Sequence, residues 1–172
     1  MNQMPENLNA EARMRHEVLQ LLIGRNAHMT FADATADFPM EHINSRPANV
    51  PYTFWHLVEH LRIAQLDILE FIRDPDYQSP EWPAGYWPEA QAEATAEEWQ
   101  SSLAAFAEDQ AQLASLVQDP DVDVLVELPH APGYTIIREI LVVADHNAYH
   151  VGELAILRQV MGLWREESSG VL

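Results

Sequence analysis

Eight histidines in a chain with no cysteine and no lysine concentrate the side-chain chemistry in imidazole and carboxylate groups. Two of them, His146 and His150, stand four residues apart in DHNAYHVGEL. On a helix that spacing puts both rings on one face, within reach of a single ion. At about 100° per residue, Ile136, Ile140, Val143, Leu154 and Leu157 mark the core-facing stripe, which places His150 inside it and His146 and Glu153 on its rim. Polar groups facing a core need partners, and hydrogen bonding among themselves would be the simpler account of the pair. A third imidazole changes the balance. His60, in TFWHLVEHLRIAQLDILEFIR, lies at the edge of a face marked by Phe54, Leu57, Val58, Leu61, Ile68 and Ile72. His56 precedes it by four residues and is rotated further towards solvent, so helical phase prefers His60 while a site using both stays open. Glu59 points elsewhere and reads as a surface charge. Three neutral imidazoles with an open position suit a divalent transition metal such as Zn, Ni, Fe or Co in a catalytic rather than a closed site, and the residues alone do not choose among them.

Neighbouring chemistries fail on spacing or composition. His146-Asn-Ala-Tyr-His150 lacks the glutamate of the H-E-x-x-H zinc proteases. A di-iron bundle needs Glu-x-x-His on two helices, and the one instance here, Glu127-Leu-Pro-His130, carries a proline that puts it in a loop. Without cysteine there is no thiol nucleophile or thiolate ligand, and without lysine no Schiff base. No nucleophile elbow and no glycine-rich phosphate cradle is present. His16, His28 and His42 fall on surface, cap or loop positions, and His130 reads as a turn residue that could approach the site from the loop before the last helix.

The elements that must position these groups are helical. EARMRHEVLQLLIGR (Glu11 to Arg25) has helical apolar spacing with Asn9 as cap, and Thr30 opens a short second helix to Asp37 through a T-F-A-D capping box. Phe38 to Pro51 reads as loop. Thr53 to Arg73 is a long helix, and Asp74 to Pro88, with four prolines, is an irregular crossover whose aromatics Tyr77, Trp82, Tyr86 and Trp87 suggest a packed cover. Glu93 to Gln118 is the third long helix, capped by Thr95 with Glu98 three residues on. Asp119 to Thr135 is loop with a short extended piece in VDVLVEL. The last long helix runs from Thr135 to Gly162, a natural stop. Four long helices with little strand signal predict an all-α, four-helix bundle with long crossover loops and one short extra helix.

At 172 residues, the whole chain, 1–172, reads as a single domain with a sizeable core, and its 48% hydrophobic content argues against disorder. Twenty-seven acidic residues face nine arginines, for a net charge of −18. The arginines, at 13, 15, 25, 46, 62, 73, 138, 158 and 165, are scattered, so nucleic acid and an anionic membrane are both poor partners. The amino terminus lacks the basic and apolar regions of a signal peptide, and no apolar stretch approaches the roughly 20 residues of a membrane span. A cytoplasmic protein is the expectation.

Two stretches, WHLVEHLRIAQLDI (Trp55 to Ile68) and PHAPGYTIIREILVVADHNAYHVGEL (Pro129 to Leu154), resemble the DinB-like superfamily of bacterial four-helix bundles, which includes the YfiT-type proteins. The likeness implies a metal, often nickel or zinc, on His60, His146 and His150, the choice that helical phase also prefers. Gly152-Glu153 falls where many relatives have Gly-Gln, and Glu153 as ligand or catalytic acid/base is a further expectation. Some similar proteins transfer low-molecular-weight thiols to electrophiles. The resemblance therefore implies a metal-dependent thiol S-transferase using a small-molecule thiol and an electrophile, with a non-catalytic metal- or small-ligand-binding stress-response protein as the alternative. Bundles of this type often form homodimers, to which the Asp74 to Pro88 loop could contribute.

Overall fold

The computed structural model describes residues 9–24 and 26–164. Its long helices are α1 (Ala10–Leu22), α3 (Phe54–Arg73), α4 (Ala96–Gln118) and α5 (Ile136–Val160), with α2 (Phe31–Thr35) as a single extra turn. Short 3₁₀ turns occupy Met40–His42 and Ala84–Tyr86. The strands β1 (Glu127–Leu128) and β2 (Ala131–Thr135) form an antiparallel hairpin before α5. The long helices pack in a ring, α1 against α4 and α5, and α3 against α4 and α5. The α1–α3 and α4–α5 connections therefore both cross a diagonal of the bundle.

Local chemistry sets most boundaries. Thr30, Thr53 and Thr95 each close a reciprocal capping box, with Asp33, His56 and Glu98 as third-position partners. Asn9 caps α1 and Thr135 caps α5. Gly162, at φ 67°, lies just past the end of α5, a conformation that glycine adopts without a Cβ clash. The short helix stops two residues before the expected Asp37, which itself sits at φ 49°. The expected end of the first helix at Arg25 lies outside the described residues, and α1 stops at Leu22. The extended piece is shorter than VDVLVEL suggests, because only Glu127 and Leu128 find a partner strand, one that the sequence pattern does not announce.

The core divides into two apolar clusters. One gathers Phe54, Leu57, Leu61, Trp99, Phe106, Val151 and Leu154 beneath α2, and the other Leu22, Leu69, Ile72, Leu113, Ile140 and Val143. Along α3 and α5, Gln65 and Asn147 fall between them, both buried. The Asn147 amide donates to Gln65 Oε1 at 2.9 Å, and Gln65 Nε2 donates to the Phe106 carbonyl at 2.8 Å. These directional bonds fix the register of α3 against α4 and α5 where apolar packing would tolerate sliding, although the buried Asn147 Oδ1 is left without a hydrogen-bond partner. No helix among the described residues is long and apolar enough to cross a membrane.

Candidate metal centre

Helices α3 and α5 face each other, and the imidazoles of His60, His146 and His150 converge between them. One ligating nitrogen from each lies within 4.8 Å of the other two. The Nε2 atoms of His60 and His146 are 3.1 Å apart. Two nitrogens bound to one zinc at about 2.0–2.1 Å would be roughly 2.8–3.4 Å apart in octahedral to tetrahedral geometry, so this pair is already at a ligand spacing. The buried row of α5 runs through Ile140, Val143, Ala144, Asn147, Val151, Leu154 and Arg158. It is centred nearer Asn147 than the Ile136–Leu157 stripe implies. His150 consequently flanks the row with His146, both half-buried, instead of lying inside it.

The far nitrogens of two rings are committed. His60 Nδ1 donates to the Tyr86 carbonyl at 2.9 Å, which leaves Nε2 unprotonated. His150 Nδ1 donates to Glu153 Oε2 at 2.7 Å and leaves its own Nε2 free in the same way. A carbonyl or carboxylate on the remote nitrogen is the usual support for a metal-bound histidine, fixing tautomer and ring orientation. The donor set thus fits a divalent transition metal: three imidazoles, two with the remote nitrogen engaged by an acceptor, and no thiolate.

Electrostatics favours the neutral form of His146 and His60. Burial, followed by the nearby His150 and His60 rings, pushes His146 down to about 4, and burial lowers His60 as well. In an unfolded chain His146 would titrate near its ordinary value of about 6.5. Between roughly 6.5 and 4 the unfolded chain therefore takes up a proton at this position that the folded chain refuses, and stability falls as pH drops through that window. Chelator-treated parent is expected to lose melting temperature relative to a His146→Asn variant as pH is lowered across it. A parent-to-variant difference that stays constant would contradict the buried, neutral ring.

The remaining histidines lie elsewhere. His56 is 2% exposed, so the expectation that it turns to solvent is corrected. Its Nδ1 accepts from the Thr53 amide at 3.1 Å as part of the α3 cap, and its Nε2 donates to the Glu89 carbonyl at 3.1 Å. With both nitrogens used by the backbone, His56 ties the α3–α4 crossover down. His130 Nε2 donates to the Phe71 carbonyl at 2.8 Å. That is eleven residues, or about 16 Å, along α3 from His60. His42 bonds Ser45, His28 the Met29 carbonyl, and His16 is half-buried on α1. Glu59 is half-buried and paired with Arg62 at 2.8 Å.

Around the triad stand groups that helical phase does not reveal. Trp87 stacks on His60 with ring centres 4.0 Å apart and planes 3° from parallel, and Tyr52 stacks on Trp87 at 4.9 Å. The Tyr52 hydroxyl donates to Glu153 Oε1. The Tyr86 hydroxyl donates to Asp67 at 2.6 Å and is pushed up to about 12 by burial and by that carboxylate. The Asp74 to Pro88 crossover is thus a cover in its last turn, through Tyr86 and Trp87. Trp82, at 72% exposure, lies on its outer side with its ring edge-on to Tyr86. Tyr52 and the Tyr86 carbonyl lie outside the long helices, where sequence periodicity gives no direction.

Comparison with known proteins gives the family of the chain. The DinB superfamily profile matches residues 25–154, which contain all three histidines and most of the bundle. No curated protein and no solved structure matches the chain. On the family match the chain belongs to the DinB superfamily, and its clustered histidines could hold a metal ion.

Proposed function

We propose that this DinB superfamily chain holds one divalent transition metal, nickel or zinc, on His60, His146 and His150, and that it is a metal-dependent thiol S-transferase. The observation that carries the reading is the convergence of three imidazoles, two of them with the remote nitrogen committed to a carbonyl or a carboxylate. Three protein ligands leave a further coordination position for a small molecule. A divalent cation held by these three histidines would lower the pKa of a thiol bound in that position and so favour its thiolate at neutral pH.

The chain has no cysteine, so the reacting sulfur arrives with a small-molecule cosubstrate. The thiol gives its proton to solvent or to a carboxylate. The sulfur then forms a carbon–sulfur bond to the electrophile as the leaving group departs with its bonding pair. His60, Trp87 and Tyr52 form a continuous ring stack beside the histidines, and Glu153 orients His150. Proton transfer by Glu153 belongs to the same proposal, and it requires exchange of one of the two hydrogen bonds that its oxygens already make.

Nickel- or zinc-loaded protein incubated with low-molecular-weight thiols and a panel of alkyl and epoxide electrophiles is expected to consume thiol stoichiometrically with thioether formation. Glu153→Gln should slow turnover. Metal-loaded protein that consumes no thiol with any electrophile would sink the transferase assignment, and stabilisation by metal alone would then favour the non-catalytic binding reading.

A further inference from the structure

Tyr52 bonds to none of the three histidines, yet it contacts the supports of two. It immediately precedes Thr53, the buried cap of α3, so its backbone is anchored at the start of the helix that carries His60. Its hydroxyl donates to one oxygen of Glu153, whose other oxygen accepts from His150 Nδ1. Its ring stacks on Trp87, which stacks on His60. One side chain therefore joins the support of a ligand on α5 to the support of a ligand on α3.

We infer that Tyr52 is a positioning residue for the metal centre, its hydroxyl holding Glu153 in the rotamer that aims His150 at the ion. The inference rests on the metal-binding reading above. The physical case is conformational. Glu153 is a long, partly exposed side chain, with 23% of its side-chain surface accessible, so water competes for its carboxylate. A carboxylate held at one oxygen by a phenol has few rotamers left, and its second oxygen then points at the imidazole. Burial and the hydrogen bond to Glu153 both raise the Tyr52 hydroxyl above its ordinary value, so it stays a proton donor throughout the working pH range. Losing the donor frees the carboxylate, lets the His150 ring rotate, and makes metal binding bear the cost of re-ordering both.

The test is zinc affinity, measured by competition with a chromophoric chelator, for the parent, Tyr52→Phe, Glu153→Gln and the double variant. Phenylalanine keeps the stack on Trp87 and removes only the hydroxyl. Tyr52→Phe is expected to bind zinc about tenfold more weakly, at the lower end of what an outer-shell partner is worth. Its metal-free melting temperature should stay at the parent value, and its cobalt(II) absorption bands should shift as the His150 ligand loosens. Because Tyr52 acts through Glu153, the double variant should bind no more weakly than Glu153→Gln alone. Affinity within twofold of the parent, or losses that multiply in the double variant, would overturn the inference. Zinc absent from the parent would overturn the metal centre and the positioning role together, whereas tight zinc in both parent and Tyr52→Phe overturns the positioning role alone.

Discussion

Gently purified protein is expected to carry close to one divalent transition-metal ion per chain, and a His150→Ala variant prepared identically to retain little of it. The expectation follows from the geometry on both sides of the ring. His150 supplies one of three convergent nitrogens, and its loss also strands Glu153, which then sits beside the site with one oxygen unpaired. Removing an orienting partner weakens metal binding by about 10–100-fold. Removing a ligand outright should exceed that, enough to empty the site during purification. The fold should survive, because His150 flanks the buried row of α5 and alanine at that position is a good helix former. A second readout follows from linkage. Metal present at about 100 times its dissociation constant stabilises the folded parent by roughly 2.7 kcal/mol, and the variant should show none of that gain. Mass-spectrometric metal analysis and melting curves with and without chelator measure the two effects. A parent that stays metal-free after reloading with nickel, zinc, iron and manganese would leave three hydrogen-bonded core histidines and no centre.

The three histidines were legible in the sequence because two periodic helices carry them, and periodicity is what a sequence displays. The i, i+4 spacing put His146 and His150 on one face, and the apolar row of α3 singled out His60. The same logic misjudged His56. Its ring bends back to cap its own helix through Thr53, so its burial is set by a local hydrogen bond and not by helical phase. Loop groups were beyond reach for a related reason. A carbonyl such as that of Tyr86 has no side-chain signature, and Tyr52 and Trp87 find their places only when the crossover folds across α3. The capping boxes at Thr30 and Thr95 were readable because their partners lie three residues away. The Gln65–Asn147 link was not, since its partners are 82 residues apart in the chain.

Arg158 gives the second large expected effect, and its sequence reading as one of nine scattered arginines conceals it. The side chain is 1% exposed. Its guanidinium donates to the carbonyls of Ala34 at 2.6 Å, Ala36 at 3.1 Å and Leu163 at 3.3 Å, and it packs over Phe38 and Trp164. Helix α2 is five residues long, so its carboxy-terminal carbonyls have few partners within the helix and depend on a donor from outside. Replacement by alanine removes that donor and the stem between two aromatic rings. Each buried carbonyl left unpaired costs about 1–3 kcal/mol, and with the lost packing Arg158→Ala should destabilise the chain by about 3–5 kcal/mol. At a urea dependence near 2 kcal/mol per molar, the unfolding midpoint should fall by about 2 M. Arg158→Lys should recover only part of this loss, because one ammonium cannot serve three carbonyls in the plane that the guanidinium fork occupies. Arg158 lies two turns, about 12 Å, along α5 from His150. Metal content should therefore persist in Arg158→Lys under conditions where it stays folded. An unchanged midpoint in Arg158→Ala would mean that α2 and the turn after α5 hold without the guanidinium. Stability lost together with metal from folded Arg158→Lys would mean instead that this end of the bundle and the histidine centre are coupled.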